Sequence, residues 1–277
     1  MNSPRHHYAL SQLKAGRLVK AIAGIGNSNK QQVVQLAEAA NASEAIALDI
    51  QATPALVKAV RAVFDGVLFA SSLDPQDLAN AIVAGADIAE LGNYDELYDR
   101  HQYISAESVL SLAEITLQLL PADALLCVTI PGHLHSDSQV ELAQRLEAMG
   151  VDMLQTEGAA RKLSRQAEMV SLPPRSKAEQ SMVNAARLTA AVSIPVICST
   201  GIAVDNASQA IAHGASGVGV GRAWRSRPAA EWASYLNLVQ AEVMLAETAP
   251  VQGKAPASCP YPFISLSSQR RALVSLA

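Results

Sequence analysis

Aromatic residues make up only 4 % of the chain and charged residues only 17 %. A core with so few rings must be aliphatic, and the 50 % of residues that are hydrophobic are enough to fill one. Low charge with high hydrophobicity excludes disorder over most of the chain. There is no basic excess, since 21 Lys and Arg stand against 25 Asp and Glu, a net charge of −4. That excludes a general nucleic-acid binder, whose footprint is basic. Cysteine is scarce: Cys127, Cys198 and Cys259 are an odd number at no metal-ligand spacing. A disulfide scaffold or zinc module is thereby excluded, and a reducing, cytoplasmic setting fits. Long apolar runs are also missing. The stretch 188–204 is free of charge but holds Pro195 and Gly201, and reads as a strand between helices, so no membrane span is expected. No apolar run follows the first seven residues, so no secretory signal is expected.

What is present is one recurring unit. A short apolar run of β type ends in Gly, Asn, Asp or Ser, and an Ala-rich segment of helical period follows. The runs are 19–25, 45–50, 67–70, 87–91, 124–130, 151–156, 195–199 and 217–220. Helix starts are marked by Pro54 and by Asp74-Pro75, an N-cap followed by proline at the first helical position. Alternating β and α segments imply a parallel sheet, and eight units favour a closed (β/α)8 TIM barrel of the α/β class over an open doubly wound sheet. Gly24, Gly26 and Asn27 do not complete the G-x-G-x-x-G of a dinucleotide fold. The barrel is expected over residues 1–246. A Pro-rich tail, 247–277, follows, with Pro250, Pro256, Pro260 and Pro262.

Two connections are long, 92–105 after the fourth strand and 158–177 after the sixth. Both leave strand C-termini, the end at which barrels keep their active sites. The second carries Arg161, Lys162, Arg165 and Arg175 against the single acid Glu168. It reads either as a lid that orders over an anionic ligand or as a plain insertion.

The last quarter carries the sharpest chemical signal. The seventh strand ends in Ser199-Thr200-Gly201, and the eighth places Gly217, Gly219 and Gly221 on one face, followed by Arg222. Glycine weakens a strand, so three on a face suggest a close approach to the backbone. In phosphate-binding barrels the approaching group is a phosphate held by main-chain N–H groups after strands seven and eight. Ser199, Thr200, Gly201, Gly219, Gly221 and Arg222 are therefore the candidate phosphate ligands. The competing reading is that the glycines only relieve crowding in the barrel.

A second constellation is acidic. Asp49, Glu90 and Glu157 fall at the ends of strands two, four and six. Alternate strands send side chains to the same layer, so Glu90 and Glu157 are expected to reach one shared ligand. Gln155 lies one pleat before Glu157, and Asn93 lies in the loop after Glu90. Glu90, Glu157 and His133 are the candidate acid–base groups, with Asp49, Asn93 and Gln155 as substrate contacts. The competing reading makes the carboxylates structural acceptors for loop amides. His133 and His135 follow strand five, at a spacing that does not enforce a metal site, and none is assigned. Lys20 lies early in strand one and no lysine ends a strand, which disfavours Schiff-base chemistry. Cys127 and Cys198 read as small core residues.

The strings Glu90-Leu91-Gly92-Asn93-Tyr94-Asp95 and Gln155-Thr156-Glu157-Gly158 resemble a TIM-barrel family of cyanobacteria and algal plastids, the hypothetical chloroplast reading frame twenty-three family. The segments 198–202 and 214–222 match it too, and the likeness runs from about Leu18 to Met244. The resemblance implies fold, lineage and an intracellular protein. It implies no reaction. The last quarter is also similar to amino-sugar phosphate epimerases, thiazole synthase and flavin mononucleotide oxidoreductases. The first two use lysines with no clear counterpart here.

Three functions remain open. The first is an enzyme, an isomerase, epimerase or lyase acting on a small phosphorylated metabolite. The second is a non-catalytic metabolite sensor, and the third a flavin mononucleotide enzyme. The sequence identifies no cofactor and allows a homo-oligomer. It calls for no nucleic acid and no membrane as partner.

Overall fold

The computed structural model describes residues 4–92, 94, 97–98, 102–158 and 176–248. Eight parallel strands close into a barrel in chain order. They are β1 (Leu18–Gly24), β2 (Ala47–Gln51), β3 (Val67–Ser72), β4 (Ile88–Leu91), β5 (Leu125–Ile130), β6 (Met153–Thr156), β7 (Val196–Ser199) and β8 (Gly217–Val220). β8 closes on β1 with Leu18 beside Gly217 and Lys20 beside Gly219. All eight runs read from the sequence are strands. The Asn93, Asp95, 159–175 and 249–277 positions lie outside the described residues, and with them both readings of the basic segment and the reading of the tail.

The helices are α1 (Pro4–Lys14), α2 (Lys30–Asn41), α3 (Pro54–Arg61), α4 (Pro75–Ala84), α5 (Ala106–Leu119), α6 (Ser136–Met149), α7 (Lys177–Ala191), α8 (Ala207–Ala212), α9 (Arg222–Arg225) and α10 (Trp232–Thr248). None is long and apolar enough to cross a membrane. Their boundaries follow local chemistry. The Asp74 side chain accepts from the Gln76 N–H ahead of α4, with Pro75 at the first helical position. Ser176 and Glu179 form a reciprocal capping box that starts α7. α8 begins only at Ala207, because the Asn206 side chain accepts from the Ala203 N–H and holds a turn there.

Strand alternation sorts the apolar residues into two shells. Val19, Ala21, Leu48, Ile50, Leu68, Leu126, Val128 and Val218 pack outward against the helices. Leu18, Ala47, Val67, Phe69, Ile88, Leu125, Cys127, Met153 and Ile197 fill the barrel interior. Ala9 and Leu13 of α1 join that interior cluster, so α1 covers the N-terminal end of the barrel. α1 has no helical signature in the residue pattern, because its buried positions His6, Ala9 and Leu13 make too thin an apolar stripe.

Candidate active site

Above the aliphatic plug the interior becomes polar. Lys20, Asp49, Ser71 and Glu90 are fully buried, and Thr129 and Gln155 nearly so. The Lys20 ammonium is ion-paired with Glu90 and lies 4.6 Å from the centre of the Phe69 ring. Burial opposes its charge, but the carboxylates of Glu90 and Asp49 more than offset that and hold its pKa above the ordinary lysine value. Lys20 is therefore a fixed cation, and in this state it is no nucleophile. The Gln155 amide donates to Glu90 (2.7 Å) and to the Thr129 hydroxyl (3.3 Å). Those bonds orient the amide, and its carbonyl oxygen is left buried with no partner among the described residues. The Ser71 hydroxyl donates to Asp49.

Sequence reasoning placed Lys20 correctly on strand one but did not see it as the centre of this group. Lys20 shares the inward face of β1 with Leu18, and across the β1–β8 seam it pairs in register with Gly219. That pairing cannot be read from local pattern.

Glu157 lies one pleat beyond Gln155. It accepts from the Tyr94 N–H (3.1 Å), the Gly132 N–H (3.3 Å) and the Tyr98 hydroxyl (2.6 Å). His133 Nδ1 is 3.0 Å from the same hydroxyl, and burial holds the imidazole below its ordinary pKa. The rings of Tyr98, Tyr103 and His133 contact one another, with centroids 5.3–5.9 Å apart. Gln155 bonds Glu90 and precedes Glu157 by two positions, and both carboxylates raise the pKa of Tyr94, to which burial contributes most. The loop reaches this position because Gly92 has φ +152°, and a Cβ there would lie 2.3 Å from Thr129. Tyr98 was not picked out from the sequence.

At the seam of β7, β8 and β1 the glycines divide. A Cβ on Gly217 would strike Leu18, and one on Gly219 would lie 2.7 Å from the Ser199 hydroxyl and 3.0 Å from Ile22. Crowding inside the barrel accounts for both. Gly221 and Gly24 instead face the Arg225 guanidinium, at 3.6 and 3.3 Å from where a Cβ would stand. Arg222 is exposed, whereas Arg225 is partly buried. Burial, and then the charge of Arg222, push the Arg225 pKa down, while Asp49 pulls it up. Its Nε is buried with no acceptor among the described residues. Ser199 is buried and its hydroxyl lies 3.5 Å from the Gly219 carbonyl. Thr200 and Gly201 both have positive φ, +74° and +77°. For threonine that is a strained conformation, found where surrounding structure enforces it. Sequence reasoning chose Arg222 and missed Arg225, three residues on along the same short helix. Only the fold shows which of the two turns back over the barrel.

The remaining candidates are scattered or structural. His135 is exposed and accepts from the Asp137 N–H at the start of α6. Cys127 lies in the interior and Cys198 in the outer shell. Burial raises both thiols, so neither is a ready nucleophile. Among the described residues no group of three or more His, Cys, Asp or Glu is placed to hold a metal ion.

Solved structures share the fold at low identity. The chain is similar to a tryptophan synthase subunit alpha from Legionella pneumophila, with 14 % identity, a TM-score of 0.61, and coverage of 88 % of this chain and 99 % of that one. It is also similar to a thiamine phosphate pyrophosphorylase from Pyrococcus furiosus, with 16 % identity, a TM-score of 0.57 and coverage of 84 % and 98 %. Among relatives in sequence, a protein of Cyanophora paradoxa called "Uncharacterized protein ycf23" is 36 % identical over 215 residues, 76 % of this chain and 86 % of that protein. The protein of the same name from Antithamnion sp. is 34 % identical over 221 residues, 77 % of this chain and 78 % of its own length. The family model described as "Protein of unknown function (DUF561)" matches residues 4–248, and the chain belongs to that family.

Proposed function

We propose that this barrel binds a small phosphorylated metabolite at its C-terminal mouth and acts on it by proton transfer, as an isomerase, epimerase or lyase. One observation carries the reading: Arg225 is partly buried beside a second guanidinium, with its Nε out of water and no acceptor among the described residues. Burying a cationic donor without a partner is costly, and a phosphate between Arg225 and Arg222 would remove that cost. The N–H groups of Thr200 and Gly201, which follow the C-terminal end of β7, are the further donors in this reading. Asp49 feels both Arg225 and Lys20, so the anion seat adjoins the interior charges. The free acceptor of Gln155 suits a ligand hydroxyl. Fold neighbours include proteins named for thiamine phosphate and for 3-hexulose 6-phosphate, which is consistent with such a ligand.

In this reading Glu157, held by loop donors, exchanges a proton with the substrate, and the fixed charge of Lys20 steadies negative charge developing beside it. The test is a thermal-shift screen of phosphorylated metabolites followed by turnover assays on those that bind. Glu157→Gln should lower turnover about 10²-fold while leaving ligand affinity nearly intact. A second reading, a binder without catalysis, is favoured by the filled hydrogen-bonding positions of Glu90 and Glu157. Stabilisation by a metabolite with no turnover of any that binds would select it.

A further inference from the structure

We infer that Tyr98 is a positioning residue that carries protons between the buried carboxylate of Glu157 and the imidazole of His133. The inference rests on the acid–base reading of Glu157. The carboxylate is 3 % exposed, so a proton it takes up has no direct route to water. Its Oε2 lies 2.6 Å from the Tyr98 hydroxyl, and that hydroxyl lies 3.0 Å from His133 Nδ1. His133 stands at the outer end of the chain and is only partly buried, and the exposed ring of Tyr103 packs beside it.

A phenol between two proton acceptors has a single hydrogen, so it can serve only one of them at a time. Two arrangements satisfy both contacts while keeping a hydrogen on the second ring nitrogen. In the first, Glu157 is ionised and accepts from Tyr98, and Tyr98 accepts from the Nδ1–H of an imidazolium. In the second, a neutral Glu157 carboxyl donates to Tyr98, and Tyr98 donates to the bare Nδ1 of a neutral ring. From the second to the first, the carboxyl hydrogen moves to the phenol oxygen while the phenol hydrogen moves to Nδ1. One O–H bond breaks at Glu157 and one N–H bond forms at His133, with Tyr98 unchanged.

The surroundings keep the two arrangements in competition. The Tyr94 and Gly132 N–H groups favour the ionised carboxylate. Burial of His133 favours the neutral ring, with a contact to the Ile104 carbonyl acting the other way. The ring's second nitrogen can donate to that carbonyl in either arrangement. The charged or titratable groups facing His133 among the described residues are Tyr98 and Tyr103, with Glu157 behind Tyr98.

The relay is tested without substrate, by nitrogen-15 NMR titration of the His133 ring in the full chain, with signals assigned by their loss in His133→Asn. Glu157→Gln should lower the His133 pKa by about one unit when Tyr98 is present, as for directly coupled sites. In the Tyr98→Phe background the same substitution should produce less than about a third of that shift. Equal shifts in both backgrounds would mean coupling through space and overturn the relay, as would no shift in either. Tyr98→Phe alone gives a second reading should Glu157→Gln fail to fold. It should move the Nδ1 resonance toward that of free imidazole, and an unmoved resonance would overturn the inference. Failure here leaves the phosphate seat at Arg225 untouched, since the experiment uses no ligand.

Discussion

The two ends of the barrel treat charge in opposite ways. At the N-terminal end Asp87 is nearly buried and fully matched. It accepts from Arg61 (2.6 Å), Arg5 (2.8 Å) and the Leu68 N–H (2.9 Å), and these bonds tie α1 and α3 to the strand layer. At the C-terminal end Arg225 has a buried donor without an acceptor among the described residues, and Thr200 is held at positive φ. A closed, satisfied end adds stability. An end with a strained residue and an unmatched cation sacrifices stability, and in this fold that is the end where ligands bind.

The contrast can be broken by substitution. The largest effect is expected between the two ends, at the interior pair. Lys20→Met strands Glu90 without its cation and should cost about 3–5 kcal/mol in denaturant unfolding. Adding Glu90→Gln should recover part of that loss. A cost below about 1 kcal/mol for the single variant would mean that the pair is uncharged. The pH dependence has a definite sign. Lys20 has a folded pKa raised above 10.5, so its stabilisation is complete below that value and is lost as the pH rises through the folded pKa. A stability curve that lost this contribution between neutrality and pH 10.5 would contradict the assignment.

Next in size is the matched end. Asp87→Asn weakens two charge-assisted bonds and should cost about 2 kcal/mol, read as a lowered denaturation midpoint. The strained end should respond in the other direction. Thr200→Gly removes a Cβ from a left-handed conformation and should stabilise by about 0.5 kcal/mol, the relief of strain less the entropy of glycine. A loss on Thr200→Gly would show that the threonine side chain holds the loop by contacts that outweigh its strain.

Sequence pattern carried the fold well because a barrel is a local code. Each apolar run with its glycine, and each cap such as Asp74-Pro75, is decided within a few residues. The face of a strand was legible too, and Gln155 points inward as its pleat required. What failed were features decided by chain neighbours far apart in sequence. Lys20 is ion-paired with Glu90 inside the barrel, although 70 positions separate them along the chain. Gly219 looked like a ligand seat, but its vacant space belongs to Ser199 and Ile22. Consequently Gly219→Val cannot test phosphate binding, since it would clash within the protein first. Tyr98 becomes chemically interesting only when Glu157 and His133 converge on its hydroxyl. The ends of the basic connection also meet only in the fold: a Cβ on Gly158 would lie 2.3 Å from the Lys177 carbonyl.

The difference between the two ends is most directly tested by calorimetric titration of inorganic phosphate into the parent chain, Arg225→Gln and Arg5→Gln. Arg225→Gln should unfold within about 0.5 kcal/mol of the parent, because it breaks no bond to a described residue. Its phosphate affinity should fall about tenfold or more, the value of one charge-assisted hydrogen bond. Arg5→Gln removes a cation from the matched end and should leave phosphate affinity unchanged. Equal affinity in the parent and Arg225→Gln, or an equal loss in both variants, would contradict the assignment of the anion seat to the C-terminal mouth.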